Sequence, residues 1–532
     1  MKTKFIILME IFHQHFSNVK MEYFHLLFFC LIILNSGTLF SENYIIKFSK
    51  VTNSFDEHFE ENVIRKISKY SNLCYEVIFD RYFNQEQILY VLIKSDEQIP
   101  PCILDSFKGM EHFTEIWEDN LNKLDFNSDK FTYNKIVNES LLSVFNDTFR
   151  KEQWYLDATF GIGLESTYSF LDSLGLTLNK IKIAVLDSGL PEYYFRSDEI
   201  QNSCYGGFNF VNGSSILYDK FGHGSHINGI IHSRTNNNLG ISGIAKNAMV
   251  YNFKIINDNG YFYDSDFIKG MIAAIDSNVK IINLSLGISN TAIANVVNYA
   301  LSKNIIIVAS MGNFGKEILN FPAALEGVFA IGSSNINSER SSFSNYGDYI
   351  DFLAPGEDIV SLSKSNPNQI VYMSGTSQSS AIVTGVISII LGIDSSLSRS
   401  DIYDILKKGS KPVSGKINTD WDKFSGWGIV DLFGSVKSLI FSRFNSIGQG
   451  CNNFRKKFNI NYASRDKFYI NILENQISSL NIRVFDYIGK ELSEEEYNIS
   501  FADQNVIIDF NKESTGIYFV LIDKLLIILH RY

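Results

Sequence analysis

The sequence predicts an α/β protein built on a doubly wound parallel sheet, with a smaller module on either side. Between residues 146 and 440, runs of β-branched residues alternate with helical stretches. These runs are apolar throughout, which is typical of parallel strands that helices cover on both faces. In such folds, ligands bind beyond the carboxyl ends of the strands. We therefore expect functional side chains where the strands of this region end.

Each element of this region follows from local composition and periodicity. Runs rich in β-branched residues predict strands at Ile181–Leu186, Met249–Ile255, Lys280–Leu286, Asn304–Ala309 and Gly327–Gly332. Helical periodicity predicts helices at Asp264–Ser277 and Thr291–Leu301. The apolar run Ala381–Leu391 predicts a further helix, buried on all sides.

The flanking regions predict two smaller modules. In residues 42–140, the strand-like runs Asn43–Phe48 and Ile88–Lys94 enclose an amphipathic helical pattern at Phe59–Tyr70, so we expect an α+β unit. The polar segment Lys123–Val137 is a predicted linker. Residues 450–532 contain short strand-like runs separated by turn residues, which predict a small β-sandwich.

The first 41 residues predict a signal peptide or leader. Lysines precede the apolar run Leu26–Leu34, which is too short to span a bilayer and has the length of a signal-peptide core. The true start is left open between Met1 and Met21, and an uncleaved anchor is the competing interpretation. Export is therefore the expectation.

Composition excludes some classes of function. The 532 residues are 45% hydrophobic and 20% charged, which is typical of a globular protein. The formal net charge of −11 excludes a general nucleic-acid-binding protein, because such a protein needs a basic surface. The cysteines form no CxxC pattern that would indicate a structural metal, and the pairing of those after the leader is left open.

A serine opens the predicted buried helix. Ser377 ends the turn Ser374-Gly-Thr-Ser377, directly ahead of the apolar run. A hydroxyl at a helix N-terminus lies beside backbone N–H groups and at the positive end of the helix dipole. This is a favourable position for an acyl-transfer nucleophile, although serine also commonly caps helices without any chemical role.

Further polar residues lie in glycine-rich turns of the same domain. Asp187 ends the first strand, Asn313 follows the strand at 304–309, and His223 lies in a Gly-His-Gly turn. Each alone is equally explained by turn chemistry. Together with Ser377 they predict a nucleophile, a general base, a carboxylate that orients it and an amide donor for an oxyanion. His226, one helical turn beyond His223, is expected to point into the structure.

In the order Asp, His, Ser, the chain resembles the subtilisin-like serine peptidases, the subtilase family. The stretches Ala-Val-Leu-Asp187-Ser-Gly, Gly-His223-Gly-Ser-His-Ile-Asn-Gly and Ser-Gly-Thr-Ser377-Gln-Ser-Ser-Ala are similar to the family's three catalytic motifs. Gly-Asn313 resembles the family's oxyanion asparagine. The resemblance covers residues 146–440 and implies the subtilisin-like fold.

The sequence departs from the family pattern near the serine. Gln378 stands where the family has a methionine, and Ala381 stands where it has a proline that helps start the serine helix. Neither change removes a chemical group needed for catalysis, but both raise the question of what fixes the start of this helix.

The resemblance implies a secreted serine endopeptidase that is made as a zymogen and acts on proteins or peptides. Ser377 would form an acyl-enzyme, with His223 as the base, Asp187 as its partner and Asn313 as the oxyanion donor. Residues of two backbone segments would line the substrate cleft: Ser285, Leu286 and Gly287, and Ser310, Met311 and Gly312.

Some members of the family hold structural calcium, and the resemblance places ligands at Gln153, Asp198 and Asn237. Carboxylate and amide oxygens suit Ca²⁺. Turn chemistry in the asparagine-rich loop 236–238 is the alternative. No cofactor is implied for the chemistry itself.

The two flanking modules also have counterparts. By position and general fold, the first resembles a subtilase propeptide, which implies an intramolecular inhibitor. Ile482–Leu492 and Ser514–Ile522 resemble the C-terminal sorting domain of the Bacteroidota type IX secretion pathway, which implies the secretion machinery as a partner. A plain accessory β-sandwich is the alternative.

Two other functions remain open from the sequence. One is a catalytically silent binding protein on the peptidase fold, which the intact catalytic positions disfavour. The other is a peptidase with a single dedicated client.

Overall fold

The computed structural model describes most of residues 42–124 and 145–440, and seven strands between 458 and 531. Short gaps lie at 52–58, 68–72, 84–85, 96–98, 100, 111–112, 195–196, 201–203, 289, 291–292, 367 and 418. The predicted leader and most of the predicted linker lie outside the described residues. The chain divides into two compact units, Met1–Asp119 and Asn120–Tyr532.

The first unit contains an antiparallel sheet of four strands and two helices. The sheet has the order β2-β3-β1-β4. Its elements are β1 (Glu42–Val51), α1 (Phe59–Ile67), β2 (Leu73–Phe83), β3 (Glu86–Ser95), α2 (Pro101–Lys108) and β4 (Phe113–Glu118). Helix α1 buries Phe59, Val63 and Ile67, which recur every four residues, against the sheet. The predicted α+β unit is therefore present.

The second unit is built on a parallel sheet, as the sequence predicts, and this sheet has seven strands. The sheet has the order β13-β12-β11-β10-β6-β8-β7, and its neighbouring strands pair in parallel. The strands of this part of the chain are β5 (Leu121–Lys123), β6 (Ile181–Asp187), β7 (Cys204–Asn209), β8 (Ala248–Lys254), β9 (Tyr261–Tyr263), β10 (Ile281–Leu284), β11 (Ile306–Ser310), β12 (Phe329–Ser334) and β13 (Phe352–Pro355).

Helices cover both faces of this sheet. Successive side chains of a strand point to opposite sides, so each face presents apolar side chains that a helix can cover. The helices are α3 (Leu164–Ser173), α4 (His223–His232), α5 (Asp264–Asp276), α6 (Ala294–Ser302), α7 (Thr376–Ile393) and α8 (Arg399–Gly409). Ile183 and Val185 of β6 join the core cluster that contains the apolar side of α7. Leu186, on the other face, lies against Gly270 of α5.

The chain order creates a crevice at the middle of the sheet. From β6 the chain runs to β7 and β8 on one side, and then crosses to β10 and the later strands on the other side. Strands β6 and β10 are neighbours at this reversal. In doubly wound sheets the crevice for ligands opens at the carboxyl ends of such strands. Here those ends carry Asp187 and Ser285.

Helix α7 is the central helix of the domain. It packs against β10, β11, β12, β13 and α4, and it is buried along nearly its whole length. It is long and apolar enough to cross a membrane, but its burial makes it a core helix of this domain. It follows an antiparallel hairpin of β14 (Ile359–Leu362) and β15 (Ile370–Met373).

The C-terminal region contains two antiparallel sheets, with the orders β16-β17-β20-β19 and β18-β21-β22. The strands are β16 (Phe458–Tyr462), β17 (Lys467–Ile472), β18 (Ile482–Phe485), β19 (Tyr497–Ala502), β20 (Asn505–Phe510), β21 (Gly516–Ile522) and β22 (Leu525–Arg531). Short antiparallel strands are what the sequence predicts here. Of the cysteines whose side chains are described, Cys74 and Cys204 are free thiols.

We expect Gly385→Ala to destabilise the protein, although alanine favours helices more than glycine does. A methyl group at Gly385 of α7 would lie 2.7 Å from the Cβ atom of Ile244, so the core would be overpacked. Such changes typically cost about 1–3 kcal/mol. Urea unfolding of the full-length variant measures the effect. Gly109→Ala is the control, since its methyl would meet nothing closer than 3.9 Å; an equal loss in both variants would contradict the packing argument.

Candidate active site

Asp187 and His223 form a buried pair at the crevice. Asp187 ends β6 and accepts a hydrogen bond of 2.7 Å from the N–H of Ser188. The Nδ1 atom of His223 lies 2.8 and 2.9 Å from the two carboxylate oxygens of Asp187. The two side chains are 1% and 2% exposed. This contact orients the imidazole and favours the tautomer with its proton on Nδ1.

Two neighbours position His223 at the start of α4. Gly222 has a φ of 109°, in the left-handed region that favours glycine. The buried carboxylate of Asp219 accepts hydrogen bonds from the N–H groups of Gly222 (2.7 Å) and Ser225 (2.8 Å). Asp219 therefore caps the helix that carries the histidine. The sequence reasoning missed this role, although an acid shortly before a helix start is a capping signal.

The glycine after the histidine allows the aspartate turn to approach. A Cβ atom on Gly224 would lie 2.5 Å from the carbonyl oxygen of Gly189 and 3.1 Å from Oδ1 of Asp187. The N–H of Gly224 instead donates to the Ser188 hydroxyl at 2.8 Å. Any larger residue would separate the histidine from its carboxylate.

His226 points into the interior. Its Nε2 atom lies 3.0 Å from the carbonyl oxygens of both Ile359 and Val371, and so donates to them. Burial, and secondarily the nearby His223, lower the pKa of His226 to about 3. The Nδ1 atom lies 3.5 Å from Nε2 of Gln378, the residue after Ser377. The starts of α4 and α7 therefore meet, which brings the histidine and the serine to the same end of the sheet.

Ser377 is the second residue of α7 and is 6% exposed. Its hydroxyl donates to the carbonyl oxygen of Ser285 at 3.2 Å. Ser285 follows β10, the neighbour of the aspartate strand. The serine hydroxyl therefore lies at the crevice between the two strands.

A buried polar network fixes the first turns of α7 against β10. The Ser285 hydroxyl donates to the Ser377 carbonyl at 3.0 Å and lies 2.9 Å from the Ser380 hydroxyl. Asn283 donates to the Ser285 hydroxyl and accepts from Thr384, both at 2.9 Å. These four anchoring side chains are fully buried. Satisfied networks of this kind hold one arrangement, because any broken bond leaves a buried polar group unpaired.

Asn313 is held by Thr376, the residue before the serine. The Asn313 Oδ1 atom accepts hydrogen bonds from the Thr376 N–H (2.8 Å) and hydroxyl (3.0 Å). The Thr376 hydroxyl in turn accepts from the N–H of Gly312 at 3.0 Å. Because Thr376 binds the amide oxygen, the orientation of the amide nitrogen is fixed. Thr376 is a second positioning residue that the sequence reasoning missed.

The predicted substrate segments contribute backbone rather than side chains. Ser285, Leu286, Ser310 and Met311 are all buried. The amide of Asn320 lies between the two segments: it donates to the Ser310 carbonyl at 2.9 Å, and a Cβ on Gly287 would lie 2.3 Å from its oxygen. Gly312, with a φ of 92°, borders the same amide. Asn320 thus occupies space between the two segments.

Each of the three predicted calcium ligands has a partner within the protein. Both amide atoms of Gln153 are used within the protein, by Tyr155 and by the backbone of Ser242. Asp198 forms an ion pair with Arg234. Asn237 donates to Glu199 at 3.1 Å. Among the described residues, no group of three or more His, Cys, Asp or Glu side chains is arranged to hold a metal ion. Calcium elsewhere stays a prediction from the resemblance.

Comparisons with known proteins agree with this geometry. The family model described as "Subtilase family" matches residues 179–428. Thermitase from Thermoactinomyces vulgaris is 32% identical over 244 residues, which is 46% of this chain and 85% of thermitase. The chain belongs to the subtilase family. The predicted fold, family and enzyme class, a serine endopeptidase, are thereby confirmed.

Other relatives are similar over the same region. A thermophilic serine proteinase from Bacillus sp. (strain AK1) is 34% identical over 259 residues, 48% of this chain and 60% of that protein. Subtilisin BL from Lederbergia lenta is 32% identical over 238 residues, 44% of this chain and 84% of that protein. This subtilase thus spans somewhat less than two thirds of the Bacillus proteinase.

A second family model matches the C-terminal strands. The model described as "Secretion system C-terminal sorting domain" matches residues 463–525. This confirms the predicted sorting domain and, with it, a secreted or cell-surface location.

Thr376→Val tests how Asn313 is held. The variant keeps the shape of the side chain but removes the hydroxyl that links Gly312 to Asn313. We expect kcat to fall about tenfold with KM nearly unchanged, less than the roughly 10²–10³ lost when the oxyanion amide of subtilisin itself is removed. Steady-state peptide hydrolysis measures both constants. Thr167→Val, a buried threonine of α3, is the matched control and should keep full activity; equal losses in the two would contradict the positioning role.

Two buried histidines predict loss of stability in mild acid. Burial lowers the pKa of His226 and of His232 to about 3, so both are neutral in the folded protein. Their contribution is present above about pH 6.5 and is lost as the pH falls toward 3, because only the unfolded chain takes up these protons. The two histidines lower the free energy of unfolding by up to about 3 kcal/mol per pH unit below 6.5. Glu199 and Asp351 oppose this change, because burial raises their pKa values to about 7 and about 6.

Urea unfolding of Ser377→Ala protein at pH 7.5, 6.5 and 5.5 measures this slope. Adding His232→Gln keeps a donor for the Asn228 amide oxygen, which the histidine Nε2 atom contacts at 2.8 Å. This variant should make the free energy of unfolding less sensitive to acid by up to about 1.4 kcal/mol per pH unit below 6.5. An unchanged slope would show that His232 is not responsible.

Proposed function

We propose that this subtilase is a secreted endopeptidase that cleaves proteins through an acyl-enzyme on Ser377 and is made as an inhibited precursor. The observation that carries the proposal is the buried Asp187–His223 contact at the crevice where the start of α7 presents Ser377. A binding protein without catalytic activity would not need these side chains in this arrangement.

The mechanism follows from the atoms that face the crevice. His223 Nε2 accepts the proton of the Ser377 hydroxyl as the oxygen attacks the peptide carbonyl, and then gives this proton to the leaving amine. Asp187 holds the Nδ1–H tautomer and stabilises the imidazolium cation. Water repeats the attack on the acyl-enzyme with the same base and frees Ser377.

Two N–H donors would stabilise the oxyanion of the tetrahedral intermediate. One is the amide of Asn313, which Thr376 orients, and the other is the backbone N–H of Ser377 at the N-terminus of α7. Both lie on elements that the buried network around Ser285 ties to the sheet. Donors held in place before the reaction need no reorganisation when the charge develops.

The precursor state is supported by a strand that precedes the predicted linker. Strand β5 pairs in antiparallel register with β9, from Leu121 opposite Tyr263 to Lys123 opposite Tyr261. The N–H of Leu124 continues the ladder to the carbonyl of Gly260 at 2.8 Å. Strand β9 follows the loop beyond the carboxyl end of β8, next to Asp187. A chain segment bound there before maturation would compete with substrate.

The sorting domain completes the proposal. We infer that residues 463–525 deliver the protein to the secretion machinery and that the α+β unit acts as the propeptide. Cleavage in the linker would then release the inhibitory strand after export.

Phosphonate labelling of Ser377 tests the enzyme function. We expect an active-serine phosphonate to label the secreted wild-type protein and Ser388→Ala, a control on the same helix, but not Ser377→Ala. Casein cleavage should fall at least about 10⁴-fold in Ser377→Ala. Ser377→Ala should also keep the residues before 125, which wild type loses, as N-terminal sequencing would show.

Each other outcome identifies a rival. Equal casein cleavage by wild type and Ser377→Ala, or no labelling of folded protein that has lost residues before 125, would favour a silent binding protein. If the phosphonate labels Ser377 but the protein does not cleave casein, the result would favour a peptidase with one dedicated client.

A further inference from the structure

A buried carboxylate beside β9 has no part in the mechanism above. Asp264 is the first residue of α5, directly after β9, and is fully buried. Its Oδ1 atom accepts from the amide of Asn122 at 2.6 Å. Its Oδ2 atom accepts from the amides of Asn290 at 2.8 Å and Asn120 at 3.4 Å. Three side-chain amides thus satisfy this one acid.

Two of these amides come from the inhibitory strand. Asn120 and Asn122 lie on or next to β5, and Asn122 stands opposite Phe262 in the ladder. Asn290 belongs to the rest of the domain and follows the predicted substrate segment that ends at Gly287. Asp264 therefore links the strand bound at β9 to the edge of the substrate cleft.

Release of the prosegment would leave this carboxylate short of donors. The inference rests on the proposed function, in which residues 120–124 depart on maturation. Asp264 would then keep the amide of Asn290 and lose both amides of the strand. The strand covers this carboxylate in the precursor, so its departure opens Asp264 to the cleft, and hydrogen bonds to an ionised carboxylate are stronger than neutral ones. The next strand that pairs with β9 can restore the lost donor.

We propose that Asp264 is a specificity-determining residue that selects substrates with a hydrogen-bond donor at the position opposite Phe262, which Asn122 holds in the precursor. Asparagine and glutamine reproduce the amide, and lysine and arginine add a charge-assisted bond. Aliphatic residues at this position leave Asp264 with only Asn290.

The position lies on the amino-terminal side of the cleaved bond. Asn122 precedes the linker in which maturation would cut, so a substrate that binds in the same direction places its matching residue before its own scissile bond. The preference should therefore appear at one fixed position upstream of the cut.

Cleavage of a proteome-derived peptide library tests the proposal. Wild type should enrich Lys, Arg, Asn and Gln at one upstream position, and matched peptides should show kcat/KM at least about tenfold higher for lysine than for alanine there. Asp264→Asn keeps the shape of the side chain, and Asp264→Ala removes its acceptor. Both should reduce the lysine preference to within about threefold of unity. Asp276→Asn, the same change at the exposed far end of α5, should keep it.

A second measurement does not depend on activity. In the full-length Ser377→Ala precursor, Asn122→Ala should speed hydrogen exchange at the Leu124 amide by about tenfold or more. Asn212→Ala, an exposed asparagine elsewhere in the domain, is the control and should leave this exchange unchanged.

The two readouts separate the possible failures. An upstream preference that persists in Asp264→Ala, or no preference in wild type, overturns the assignment of Asp264. If no peptide is cleaved but Asn122→Ala still speeds hydrogen exchange at the Leu124 amide, the proposed enzyme function is overturned. Asp264 then remains as the anchor of the strand. Absence of both effects overturns both.

Discussion

The catalytic arrangement depends on the hydrogen bonds that join Ser285 to the first turn of α7. Ser285 continues β10, and α7 carries Ser377 and, through Thr376, the orientation of Asn313. The aspartate strand β6 is the direct neighbour of β10. One buried network therefore sets the distance between the strand that carries Asp187 and the helix that carries Ser377, the proposed nucleophile. If it loosened, Ser377 and Asn313 would shift together relative to His223.

This network also explains why two departures from the family pattern are tolerated. Ala381 lies fully buried in the core cluster, and an alanine supplies the backbone N–H that a regular helix directs to the Ser377 carbonyl. Side chains of Ser285 and Ser380 bind that same carbonyl. Gln378 replaces a methionine but reaches the ring of His226, and so joins the serine helix to the histidine helix. The helix start is fixed by polar contacts where the family uses a proline.

The sequence was sufficient for features that depend on local pattern. The parallel strands were predicted because each is an apolar run, and the Asp, His, Asn and Ser positions because each lies in a glycine-framed turn. Strand β7 was missed because two glycines interrupt its pattern. Strands β13 to β15 were missed because polar residues closely flank each four-residue run, whereas β10 lies within a longer apolar run. Asp219, Thr376, Asn320 and Asp264 were missed for another reason: their roles arise from contacts with residues distant in the chain. The calcium ligands stay a prediction; the contacts that Gln153 and Asn237 make within the protein are also with residues distant in the chain.

The pairing of β5 with β9 has a consequence for the life of the protein before it is exported. An unpaired strand at an edge presents a row of backbone donors and acceptors to any extended chain, and so promotes aggregation. A peptidase that binds its substrates as added strands must keep such an edge. In the precursor the edge is covered by a neighbouring part of the same polypeptide, at a local concentration that no other chain can match. On the function proposed above, the prosegment would shield the binding edge until maturation, and its release would open that edge to substrate.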